Sequence, residues 1–165
     1  MEANSQKKLS LDTNVLFDLA AGGDFAHEFR ESYQAKGYAM VISPTVVAEI
    51  YFLRHEGDRE ERRLASAALG NMSGWDVRPF ALSGIQADLA HQFARRLIDR
   101  GLLPETELND ALILAESAVA DISVVVSSDK HLLGMDHDVL RDLCNDGDLT
   151  PVFPLSPRRL VRLLR

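Results

Sequence analysis

Short apolar runs of β character alternate with stretches of helical periodicity along nearly the whole chain. That alternation restricts the fold more than any other feature of the sequence. Leu9–Leu11 reads as a first short strand ending at Asp12. Helical stretches follow over Val15–Leu19 and Phe25–Gln34, interrupted by Gly22-Gly23. Tyr38–Ile42 reads as a second strand. Ser43-Pro44 then supplies an N-cap residue and a proline suited to the first helical position, opening a helix that runs to about Arg54. Asp58–Leu69 predicts another helix, Trp75–Phe80 a strand, and Ser83–Arg100 a long helix with Ile85, Leu89, Phe93 and Leu97 on one stripe. After Gly101 and Pro104 come a helix from Glu107 to Ala120 and a strand over Ile122–Ser127. A loop and short helix fill Ser128–Cys144, Val152-Phe153 closes the sheet, and Ser156–Leu164 forms a last helix.

Strands separated by helices need crossover connections, and these produce a mostly parallel sheet of about five strands with helices on both faces. No composition break marks a linker, so residues 1–165 are expected to form one domain, with 1–7 as a flexible N-terminal tail. The lone Cys144 excludes an intrachain disulfide and suits a reducing compartment. No leader-like segment or membrane-length apolar run is visible, so a cytoplasmic protein is expected.

The net charge of −7 conceals three basic groups. These are Arg54, Arg59, Arg62 and Arg63; Arg95, Arg96 and Arg100; and a C-terminus in which Arg158, Arg159, Arg162 and Arg165 occur without an acid. Solvated helix faces explain each group by itself, so charge alone neither proposes nor excludes a nucleic-acid partner.

In a parallel α/β sheet, ligands sit beyond the carboxyl ends of the strands. Four acids fall there: Asp12 after the first strand, Glu49 early in the helix after the second, Asp110 in the first turn of its helix, and Asp129 after the fourth strand. Asp110 shares a helix face with Ile113, Leu114 and Ser117, where an unpaired carboxylate is costly. Each acid also has an ordinary explanation. Asp12 and Asp129 suit helix caps, Asp110 a favourable first-turn charge, and Glu49 a partner for an arginine such as Arg54. Together they would gather like charge that only protons or cations can relieve. Carboxylates without a His or Cys ligand pattern suit Mg²⁺ or Mn²⁺, one ion or two, and hence metal-assisted phosphodiester hydrolysis. His27, His55, His91, His131 and His137 show no metal-ligand spacing, and Gly22-Gly23 lacks the Lys-Ser/Thr of a phosphate-binding loop.

Four segments in order resemble the PIN-domain family, and within it the toxin-like (VapC-type) branch of toxin–antitoxin pairs. They are Leu11-Asp12-Thr13-Asn14-Val15-Leu16; Ile42-Ser43-Pro44 leading to Val47-Ala48-Glu49-Ile50; Asn109-Asp110-Ala111-Leu112-Ile113-Leu114-Ala115; and Val126-Ser127-Ser128-Asp129-Lys130-His131-Leu132-Leu133. The resemblance implies a PIN-like (Rossmann-like) three-layer α/β/α sandwich. It also implies a metal-dependent endoribonuclease whose acidic quartet is Asp12, Glu49, Asp110 and Asp129, with Thr13, Asn14 and Ser128 as supporting polar residues. It further implies a homodimer and a small antitoxin that blocks the site. Arg158, Arg159 and Arg162 are candidates for gripping RNA, and Gly134–Gly147 is more acidic than the family pattern. A non-catalytic RNA- or protein-binding module of the same fold, or another phosphate-ester hydrolase, are the competing readings.

Overall fold

The computed structural model describes residues 5–165. Of the expected 1–7 tail, residues 1–4 lie outside the described residues. The carbonyl of Lys7 already accepts the amide of Ala39 at 2.8 Å.

The strands are β1 (Lys8–Leu11), β2 (Ala39–Ile42), β3 (Val77–Pro79), β4 (Val124–Val126) and β5 (Phe153–Leu155). They form one sheet in the order β3-β2-β1-β4-β5, every neighbouring pair parallel. The three central strands are buried on consecutive residues, Leu9 to Leu11, Met40 to Ile42, and Val125-Val126. Successive side chains of a strand point to opposite faces, so both faces of the sheet are covered. The prolines of the sheet, Pro79 and Pro154, stand in its two edge strands, where a missing amide donor costs least.

The helices are α1 (Thr13–Ala20), α2 (Asp24–Ala35), α3 (Pro44–Glu56), α4 (Arg59–Asn71), α5 (Gly84–Asp99), α6 (Leu108–Val119), α7 (Lys130–Leu133), α8 (His137–Asp146) and α9 (Pro157–Leu163), with a 3₁₀ turn over Glu105–Glu107 ahead of α6. Their starts follow local chemistry. Ser43 and Ser156 accept the amides of Val46 and Arg159, each followed by proline at the first helical position. Asp58 with Glu61 and Ser83 with Gln86 complete capping boxes. Helix α6 is buried at every position from Ala111 to Val119, the all-round burial that its sequence predicts.

The structure corrects three expectations. The α5 stripe is not Ile85, Leu89, Phe93 and Leu97: Ile85 is 76% exposed and Leu89 45% exposed, whereas Ala90, Phe93, Ala94 and Leu97 are buried. Helix α5 therefore meets α6 along its second half, and small alanines permit the close approach. The segment after Ser128 holds two helices rather than one, and α8 is amphipathic, burying Leu140, Leu143 and Cys144. Asp138, Asp142 and Asp146 face solvent, and Asp136 caps α8 by accepting the amides of Asp138 and Val139. The last strand lies at Phe153–Leu155 and not at Val152-Phe153.

Candidate active site

Strand order reverses direction at the centre of the sheet, where β1 leads one way to β2 and β4 the other way to β5. The crevice beyond β1 and β4 is where such a sheet binds ligands. Asp12 lies at its floor, 4% exposed. Its amide still donates to Val126 O at 2.9 Å, so the residue is fixed by the sheet itself. Its side chain begins α1: Oδ1 accepts the Thr13 amide at 2.7 Å, and Oδ2 accepts the Ser127 hydroxyl at 2.7 Å and Asn14 Nδ2 at 3.2 Å. The cap explanation of Asp12 is therefore correct as far as it goes.

Asn14 stitches the two central strand ends together. Besides Asp12, its Nδ2 donates to Ser127 Oγ at 3.4 Å, and its Oδ1 accepts the Ser128 amide at 3.2 Å. Asp129 caps α7, one oxygen accepting the amides of His131 at 2.8 Å and Leu132 at 3.1 Å. The Asp129 amide itself donates to Ser127 Oγ at 3.0 Å. The supporting hydroxyl of this site is thus Ser127, fully buried, whereas Ser128 is exposed and contributes its amide. Side chains alternate about the strand end, so one residue of register decides which serine faces inward.

Glu49, on α3, and Asp110, in the first turn of α6, complete the group, both half-buried. Burial raises the Asp12 carboxyl, the bonds from Ser127, Thr13 and Asn14 pull it back, and the charge of Asp129 pushes it further up. Burial also raises Glu49, reinforced by Asp12 and Glu107 and opposed by the Thr13 hydroxyl. Burial raises Asp110 to about 8, helped by the nearby charge of Asp12, a hydrogen bond with Glu107 and the charges of Asp129 and Glu107. Among the described residues no lysine or arginine forms a salt bridge with any of the four acids, Arg54 included.

Glu107 is a site-lining acid that the sequence did not single out. It ends the 3₁₀ turn before α6, and its Oε1 lies 3.0 Å from His131 Nδ1 on α7. That contact spans the mouth between the helix bearing Asp110 and the one capped by Asp129. Its sequence signal was the acid three residues before Asp110, which resembles an ordinary helix-start charge.

Among the described residues, no three His, Cys, Asp or Glu side chains converge tightly enough to chelate a metal ion. Two observations nevertheless fit a divalent cation. The donors are all hard oxygens, and the Thr13 hydroxyl is buried beside Glu49 without a hydrogen-bond partner of regular geometry. The C-terminal arginines form no salt bridge with the four acids among the described residues: Arg158 lies over the Phe25 ring, 5.4 Å from its centroid, and Arg159 and Arg162 face solvent.

A doubly wound parallel sheet with an acidic crevice at its switch point defines an α/β protein of Rossmann-like architecture. The PIN domain matches residues 9–137, and the chain belongs to that family. No curated protein matches the chain by sequence. Its fold is shared by solved structures: VapBC2 of Rickettsia felis bound to a DNA fragment from their promoter (TM-score 0.63, 17% identity, 90% of this chain and 98% of that one) and VapBC-1 of nontypeable Haemophilus influenzae (TM-score 0.57, 13% identity, 92% and 98%). FitAcB of Neisseria gonorrhoeae is similar at a TM-score of 0.53 and 16% identity, covering 91% and 98%. At these identities the likeness is one of fold. No described helix is long and apolar enough to cross a membrane.

Proposed function

We propose that this PIN-domain protein is a metal-dependent endoribonuclease, the toxin of a toxin–antitoxin pair, working through Asp12, Glu49, Asp110 and Asp129. The carrying observation is electrostatic: Asp12, Glu49 and Asp110 are each pushed toward the protonated form by burial and by neighbouring carboxylates, and among the described residues no lysine or arginine forms a salt bridge with them. A structure that holds like charge in this way is matched to a cation, and Mg²⁺ or Mn²⁺ suits oxygen donors. The four acids would hold it. When bound, the metal would lower the pKa of water and stabilise charge on phosphoryl oxygens. Asn14 and Ser127 keep Asp12 and Asp129 at a fixed separation, and the Thr13 hydroxyl lies against Glu49.

The partners follow from the same reading. RNA is the substrate, and a small antitoxin is the regulator, as the VapBC fold neighbours suggest. A second copy of the chain is the third partner, because Tyr51 and Phe52 on α3 and Ile85 and Leu89 on α5 leave large apolar surface uncovered.

The absence of a tight three-carboxylate cluster among the described residues favours a second reading, a PIN fold that binds RNA or protein without cutting. Purified protein and its Asp110→Asn variant, given a mixed RNA pool with Mn²⁺, with Mg²⁺ and with EDTA, separate the two. Cleavage that requires metal and vanishes in the variant supports the nuclease. RNA retention without cleavage by either protein supports the binding module, and equal cleavage by both marks a contaminant.

A further inference from the structure

A cavity of about 450 Å³ opens beside the acids, between the start of α2 and the start of α9. Phe25, Leu133 and Pro157 give it apolar walls, while Asp18, Ser128 and Arg158 supply polar groups. Ser128 connects it to the acidic crevice, since its amide is held by Asn14 and the next residue is Asp129. The Arg158 guanidinium lies over the Phe25 ring, so one wall is already a planar cationic and aromatic stack. Flat heterocycles stack on such groups, and single-stranded RNA is read largely through bases splayed onto them. The size is in the range of pockets that accept small molecules.

We infer that this cavity is a nucleobase subsite that seats a guanine flanking the cut phosphate, with Phe25 and Arg158 stacking on the ring and Asp18 reading its edge. The inference rests on the nuclease reading for its substrate. Guanine presents two adjacent N–H donors on its Watson–Crick edge, and a carboxylate can accept both at once. Adenine and cytosine offer only an amino group there, and uracil a single ring N–H. Asp18 lines the cavity, and no lysine or arginine among the described residues forms a salt bridge with it, so its acceptors are available. Arg158 adds a positive charge at the rim where the nucleotide's phosphate would pass.

The test is binding of GMP, AMP, CMP and UMP to the full chain in EDTA, followed by amide chemical shifts. The wild type, Asp18→Asn and Phe25→Ala are compared, with thermal melting to confirm folding. Asp18 and Phe25 are exposed enough for their variants to fold. GMP should bind about tenfold more tightly than the other nucleotides, in keeping with hydrogen bonds to a charged acceptor. Asp18→Asn should erase that preference, and Phe25→Ala should weaken all four nucleotides. Equal binding of the four, a preference that survives Asp18→Asn, or shifts that map away from Phe25 and Ser128 would overturn the inference. No binding by any nucleotide would also overturn it and give the cavity to a protein partner. Cleavage readouts keep the two claims apart. Metal-dependent cutting without guanine preference defeats the subsite and leaves the nuclease standing, whereas guanine-selective binding with no cleavage of any RNA defeats the nuclease alone.

Discussion

Asp110 keeps its proton to about pH 8 in the folded chain, against an ordinary value of 3.8. The folded state therefore binds this proton more tightly than the unfolded state does, and without metal its stability falls as pH rises from about 4 to about 8. Asp110→Asn removes that dependence. In EDTA the variant should melt above the wild type, with a larger gap at pH 8 than at pH 5, a shift of about 2–4 °C for each 1 kcal/mol in a chain of this length. Saturating Mn²⁺ should reverse the order at pH 8, because it stabilises the folded wild type by mass action. A melting temperature lowered by the variant at both pH values would show that Asp110 is an ordinary first-turn acid. The two serines give a second contrast. Ser127→Ala strips a donor from Asp12 and an acceptor from the Asp129 amide, and should cost about 1–3 kcal/mol in denaturant unfolding. Ser128→Ala, on an exposed side chain, should stay within about 0.5 kcal/mol. Equal losses would place both side chains in the same environment and refute the inward assignment of Ser127.

Among the elements, α9 is tied to the body of the protein through α2. Tyr33 Oη donates to the Leu160 carbonyl at 2.6 Å inside the core, and Arg165 pairs with Glu28 at 3.3 Å on the surface. Tyr33→Phe should cost about 0.5–1.5 kcal/mol, with faster hydrogen exchange concentrated in α9; uniform loss of protection would show that α9 unfolds only with the whole. How far such elements can be read from sequence depends on what fixes them. Helix starts at Ser43-Pro44, Asp58, Ser83 and Ser156 are set by their own side chains and were legible for that reason. The strand-end positions of Asp12 and Asp129 were legible because each follows an apolar run and begins a helix. The α5 stripe was not, since apolar spacing says that a face exists but not which turn of it a neighbour covers. Ser127 and Ser128 escaped because adjacent serines differ only in register, and Glu107 because its significance arises from His131, distant in sequence. Glu116 is a similar case: buried on α6, it accepts the Thr45 amide at 3.0 Å and so fixes the start of α3.

For the molecule as a whole, the uncovered apolar residues predict self-association. Phe52, 61% exposed, belongs to the helix that carries Glu49. Phe52→Glu should shift sedimentation toward a single monomeric species without lowering the melting temperature of the monomer. A wild type that stays monomeric at all concentrations would assign this surface to a different partner.

The central pairing of the sheet also governs when in its life the chain can acquire its site. Ser10 stands against Val125 and Leu11 against Val126, so the strand that places Asp12 is completed only by one made far later in synthesis. A ribosome has released Asp12 and Glu49 well before β4 exists to hold Asn14 and Ser127 in place. Closing so long a loop is also among the slower events of folding. A partly made chain therefore carries the acids without their arrangement, and the mutual crowding of their charges begins at the moment the fold is finished.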